Sequence, residues 1–154
     1  MSLKQLNILL ADDDPDDCLF FKVALRELLF STRLTTVFDG EQLMHQLLNE
    51  MPILPDVLFL DLNMPRRNGF ECLSEIKQNG KLCQLSVIIF STSYEQEVVN
   101  ELYKNGAQYF IRKPSEFSQF KKIIQEALKL IVQGNGSQPT RDDFVITFPA
   151  DLII

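Results

Sequence analysis

The sequence predicts an α/β domain built on a parallel sheet of five strands, with helices covering both faces. Two observations carry this. Short runs rich in Val, Ile, Leu and Phe recur five times, and each is followed by a longer segment whose apolar residues have helical spacing. Strand followed by helix, repeated, returns each strand in the same direction, because a right-handed crossover lays its helix on one side of the sheet. The 154 residues suffice for one domain with a substantial core and are few for two.

The strand candidates are Leu6 to Ala11, Leu34 to Phe38, Val57 to Leu60, Val87 to Phe90 and Tyr109 to Ile111. Helix candidates fall near 15–30, 40–50, 69–79, 94–105 and 116–133. Asp14 followed by Pro15 suits an N-cap with proline at the first helical position, where its missing N–H costs nothing. Asp16 and Asp17 then fall in the first turn, which the helix dipole favours for acids, and a structural role explains Asp14, Asp16 and Asp17. Asn79-Gly80 and Asn105-Gly106 read as helix stops.

Past residue 133 the texture changes to Gly134-Asn135-Gly136-Ser137-Gln138-Pro139, a linker composition. Residues 134–154 are too few for a separate output domain. Yet Phe144, Val145, Ile146, Phe148, Leu152, Ile153 and Ile154 are more apolar than a solvated tail should be. The expectation is one domain over 1–133, then a linker and apolar tail over 134–154 that caps an apolar surface, a homodimer being one way to cover it.

A formal net charge of -6 repels phosphate backbones, and no Lys/Arg run reverses this locally, so direct nucleic-acid binding is not expected. Three cysteines, Cys18, Cys72 and Cys83, without CxxC spacing indicate neither a disulfide framework nor a zinc site. No segment approaches the roughly 20 apolar residues of a membrane span, and a cytoplasmic protein without membrane contact is expected. The single histidine, His45, lies in an amphipathic helix pattern and reads as an exposed helix residue rather than a phosphoryl carrier.

Ligands of open parallel sheets bind beyond the carboxyl ends of the strands. There the sequence places Asp12-Asp13 after the first strand, Asp61 closing the third, Ser91-Thr92 after the fourth and Lys113-Pro114 after the fifth. Asp12 and Asp13 precede the helix cap at the end of an apolar strand, and Asp61 ends Val57-Leu58-Phe59-Leu60, where an unpaired charge is costly; structural need explains none of the three. Three carboxylates at one edge repel at roughly 4 kcal/mol per pair 4 Å apart with an effective dielectric near 20. A hard divalent cation such as Mg²⁺ offsets this and accepts phosphate oxygens, and Lys113, extended by the proline after it, adds a movable positive charge. An acidic nucleophile, a cation, a lysine and a hydroxyl together suit phosphoryl transfer.

The runs Ile8-Leu9-Leu10-Ala11-Asp12-Asp13-Asp14, Leu58-Phe59-Leu60-Asp61-Leu62-Asn63-Met64-Pro65 with Gly69 following, Phe90-Ser91-Thr92 and Arg112-Lys113-Pro114 resemble the motifs of response-regulator receiver domains, CheY-like and of the stand-alone type. The likeness spans residues 6 to about 133, and its specificity comes from four motifs in the right order on the right strands. It implies a flavodoxin-like, doubly wound (βα)5 fold with strand order 2-1-3-4-5. It also implies that Asp61 is the phosphoacceptor, that Asp12, Asp13 and Asp61 hold Mg²⁺ with the backbone carbonyl of Asn63, and that Ser91 and Lys113 contact the phosphoryl oxygens. Phosphoryl groups would come from a histidine kinase or phosphotransfer protein in a two-component system or phosphorelay. Ser91 and Phe110 would form the switch, and the fourth helix, fifth strand and fifth helix would meet an unspecified downstream protein.

Two positions depart from the usual pattern. Phe110 stands where many members have Tyr and has no hydroxyl to offer, so packing alone would report its state; Ser91 stands for the frequent Thr and lacks its β-branch. Arg66 and Arg67, in the loop after Asp61, read as solvated, with contact to an acidic partner beside the site as the alternative. A Mg²⁺-dependent phosphatase with an Asp nucleophile is the main rival, but its usual second acid two residues on is here Asn63. A degenerate interaction module is the third reading, opposed by the intact set of Asp12, Asp13, Asp61, Ser91 and Lys113.

Overall fold

The computed structural model describes residues 5–29, 31–134 and 136–146. Strands β1 (Leu6–Ala11), β2 (Thr32–Val37), β3 (Val57–Leu60), β4 (Val87–Ser91) and β5 (Tyr109–Arg112) alternate with helices α1 (Pro15–Glu27), α2 (Gly40–His45), α3 (Gly69–Gln78), α4 (Gln96–Lys104) and α5 (Phe117–Gln133). A single π-helical turn, Gln46–Glu50, continues α2. The expected (βα)5 order holds, and every strand pairing is parallel.

The five-strand expectation needs one correction. The chain returns after α5 through a short helix, α6 (Arg141–Phe144), to a sixth strand, β6 (Val145–Ile146), so the order is β2-β1-β3-β4-β5-β6. β6 pairs with the otherwise open edge of β5 through Phe110↔Val145 and Ile111↔Ile146. An unpaired strand edge leaves backbone donors and acceptors unmatched, which a short added strand remedies.

Local chemistry sets the boundaries. Asp14 caps α1, accepting from the backbone amides of Asp16 and Asp17, with Pro15 at the first helical position. Asn68 and Glu71 form a capping box at the start of α3. Asn79 ends α3, and Asn105 ends α4 with Gly106 following at φ 94°, a left-handed conformation that glycine adopts without strain.

The sheet has a core on each face. Leu43, Met44, Leu73, Ile76, Val99 and Leu102 bring α2, α3 and α4 to one side. Phe21, Ala24, Phe120, Ile124 and Leu128 bring α1 and α5 to the other, where the rings of Phe21, Phe59, Phe90 and Phe120 meet edge to face. Phe144 of the tail is buried in the first core and Ile146 in the second, so the tail closes both at the β5 edge. Tyr103 donates its hydroxyl to the Pro139 carbonyl at 2.7 Å, Gln138 donates to the carbonyls of Tyr103 and Ala107, and Arg141 donates to Asn100. Phe148, Leu152, Ile153 and Ile154 lie outside the described residues.

Candidate functional site

Among the described residues all six strands point the same way, so every strand-end residue is delivered to one edge of the sheet. β1 lies between β2 and β3, and the order reverses there, which places Asp12 and Asp61 on the two strands flanking the switch point. The Asp12 amide donates to Val37 of β2, and the Asp61 amide to Ala11 of β1 at 2.9 Å, fixing both residues to the sheet. One carboxylate oxygen from each of Asp12, Asp13 and Asp61 lies within 4.8 Å of the others; Asp12 and Asp61 are buried and Asp13 is exposed. Such a cluster, with one open side, suits a small divalent cation that keeps part of its water.

Lys113 enters from the end of β5, its amide bonded to the Ser91 carbonyl at 2.7 Å. Its ammonium lies 2.8 Å from Asp12 Oδ2, 2.8 Å from Asp17 Oδ2 and 3.8 Å from Asp61 Oδ2, and 5.2 Å above the ring of Phe90. Burial raises the Asp61 pKa to about 7, against the lowering influence of Lys113 and with further upward pressure from Asp12. Asp12 is raised for the same first reason, despite its bond to Lys113. Burial alone would lower the Lys113 pKa, but hydrogen bonds to Asp12 and Asp17 outweigh it and leave the ammonium firmly charged.

Ser91 is buried at the end of β4, and its hydroxyl lies 3.4 Å from that of Ser93 and accepts the Ser93 amide at 3.3 Å. The Asn63 amide donates to Asp61 Oδ1 at 3.3 Å. Beneath Asp61 the chain passes too closely for a side chain: a Cβ on Gly69 would lie 2.5 Å from the Asp61 carbonyl oxygen. Phe110 is buried, with the ring of Tyr94 edge-on at 5.8 Å. The structure thus gathers Asp12, Asp13, Asp61 and Lys113 into one group, sets Ser91 on the strand between those of Asp61 and Lys113, and keeps Phe110 inside the core.

Asp17, the two arginines and Tyr94 make contacts that the sequence does not indicate. Asp17 does more than favour a helix terminus, because its carboxylate reaches Lys113. Arg66 and Arg67 are partly exposed but partnered: Arg66, with a left-handed φ of 68°, pairs with Asp39 and Glu41, and Arg67 pairs with Glu75. Tyr94 has no sequence signal beyond its place three residues after Ser91, yet it covers Phe110 and lines a cleft of about 1040 Å³ with Arg112, Arg141 and Ile146. His45 is exposed as expected, hydrogen-bonded to Asn49 and paired with Glu50.

Residues 8–125 match the family model for the response regulator receiver domain. The chain belongs to this family. It is 29% identical over 122 residues to the response regulator Rcp1 of Synechocystis sp., covering 77% of this chain and 83% of that protein. The phosphorylated cyanobacterial phytochrome response regulator RcpA superposes with a TM-score of 0.78 at 27% identity, covering 84% of this chain and 96% of that one. The Mn²⁺-bound form of Rcp1 superposes with a TM-score of 0.75 at 26% identity, covering 88% and 99%. As a receiver domain the chain is a component of two-component signalling, and among its described residues no helix is long and apolar enough to cross a membrane.

Proposed function

We propose that this receiver domain is a phosphorylation-controlled switch in which Asp61 accepts a phosphoryl group from a histidine kinase or phosphotransfer protein and the consequence is read through protein contacts. The observation that carries this is the placement of Asp61 itself: a buried carboxylate, grouped within 4.8 Å with Asp12 and Asp13, and 3.8 Å from the Lys113 ammonium. A lone buried acid is costly, and a group so arranged makes sense as a centre that binds a cation and a phosphoryl group.

Asp12, Asp13 and Asp61, with the Asn63 carbonyl, would hold Mg²⁺, which would supply charge neutralisation for the phosphoryl oxygens. The chain's own residues do the rest. An oxygen of the Asp61 carboxylate forms a new bond to phosphorus while the donor's bond to phosphorus breaks, the bonding pair leaving with the donor. Lys113 and the Ser91 hydroxyl stabilise the transferred group, and the move of Ser91 toward it repacks the loop that carries Tyr94 over Phe110. The chemistry is slow and self-catalysed in both directions, as befits a switch. Asn63 stands where a phosphatase of the Asp-nucleophile type carries a general acid, and an amide does not ionise.

The test is incubation with Mg²⁺ and a small acyl phosphate, followed by intact mass. One phosphoryl group per chain, absent in Asp61→Asn, is expected. Rapid multiple turnover of the donor would replace the switch with a phosphatase, and absence of labelling would leave an interaction module.

A further inference from the structure

Lys113 has three N–H donors and meets three carboxylates, but not equally. It sits at 2.8 Å from both Asp12 and Asp17 and a full 1 Å farther from Asp61. Asp17 belongs to the first turn of α1, and its partner is 96 residues away on the end of β5. Capping does not require this contact, since Asp14 already accepts the Asp16 and Asp17 amides. In a helix, side chains lean toward the N-terminus, which here is the sheet edge that holds the acids.

The contact has a chemical consequence. An ammonium and a divalent cation compete for the same carboxylate oxygens. With only Asp12 and Asp61 to choose from, Lys113 would settle between them and neutralise both. A third carboxylate outside the Asp12, Asp13 and Asp61 group holds the ammonium toward α1, 1 Å farther from Asp61 than from Asp12 or Asp17. Asp17 is about one-fifth exposed, against none for Asp12, so its bond to Lys113 is the more readily exchanged of the two.

Resting on the reading of Asp61 as phosphoacceptor, we propose that Asp17 is a positioning residue: it parks the Lys113 ammonium on the α1 side of the site, keeps Asp61 free for cation and phosphoryl group, and yields Lys113 to a phosphoryl oxygen when one arrives. Asp17 acts through Lys113 and touches no reacting atom.

Calorimetric Mg²⁺ titration of the full chain tests this, with acyl-phosphate labelling alongside. Asp17→Asn should weaken Mg²⁺ binding about tenfold, because Lys113 collapses onto Asp61. Asp17→Glu should restore it to within about twofold. Asp16→Asn, which removes an equal charge from the same helical turn, should change it by less than about twofold. In a Lys113→Met background Asp17→Asn should have little further effect, since the competitor is gone. Equal losses in Asp16→Asn and Asp17→Asn, or the same loss with and without Lys113, would reduce Asp17 to bulk charge and overturn the proposal. A wild-type chain that binds Mg²⁺ and is labelled while those losses are equal overturns only the role of Asp17. A wild-type chain that does neither overturns the Asp61 reading and this proposal with it.

Discussion

Val145 lies beside Phe110 in the sheet, its partner in the ladder that joins β6 to β5. Phe110 is thus enclosed between Tyr94 in the loop after Ser91 and the tail that returns past α5. A switch residue without a hydroxyl reports only by packing, and what it packs against here includes the chain's own C-terminal segment. A partner that docked on the face of α4, β5 and α5 would therefore meet α6 and β6 as part of that surface.

Phe144 anchors that segment, fully buried against Tyr103 with ring centroids 5.1 Å apart. Phe144→Ala should destabilise the chain by about 2–4 kcal/mol, the lower end applying if the tail simply detaches. Thermal unfolding gives the magnitude, and faster proteolytic cleavage after α5 should accompany it. Unchanged stability and cleavage would show that the polar contacts of Gln138, Tyr103 and Arg141 hold the tail without it.

Asp61 gives a pH dependence with a definite sign. Its folded-state pKa of about 7 lies above its ordinary value of 3.8, so the folded chain binds the extra proton. Its stabilising contribution is complete below the ordinary value and is lost as pH rises through about 7. Without divalent cation, Asp61→Asn should therefore be more stable than wild type at pH ~8 by about 1–3 kcal/mol, with the gap closing toward pH ~4. Denaturant melts at several pH values check this, and a gap independent of pH would contradict it.

Lys113 compensates buried acids, so its removal leaves them unpaired. Lys113→Met should cost about 3 kcal/mol at pH ~8 and less at pH ~5, where Asp61 takes up a proton. Mg²⁺ should recover part of the loss at the higher pH. An equal cost at both pH values would mean that Lys113 matters for packing on Phe90 rather than for charge.

Gly69 is fixed by space. A Cβ would meet the Asp61 carbonyl oxygen at 2.5 Å and the Leu62 Cα at 2.8 Å, both backbone atoms that move only with the loop. Gly69→Ala should cost about 2–3 kcal/mol and slow labelling of Asp61 by displacing it. Normal stability together with normal labelling would show that the loop adapts freely.

Much of this is legible in the residues because it is repetitive or because it is expensive. Five strand–helix units announce themselves by period, and Asp61 at the end of an apolar strand demands an explanation that a surface acid does not. Asp17 is hidden for the opposite reason: a first-turn acid already has a local explanation, and only the arrival of β5 beside β4 brings Lys113 to it. The sixth strand is hidden too, since Val145–Ile146 is two residues long and pairs only because α5 ends near the open edge of β5. The partners of Arg66 lie on the loop and helix after β2, 25 and 27 residues earlier in sequence, beyond the reach of any local pattern.

The most direct test remains the fate of Asp61 in the presence of Mg²⁺ and a small acyl phosphate, followed by intact mass and peptide mapping. A single phosphoryl group, mapped to Asp61, lost in Asp61→Asn and dependent on Mg²⁺, is the expected result. Labelling at another residue, or equal labelling of Asp61→Asn, would contradict it.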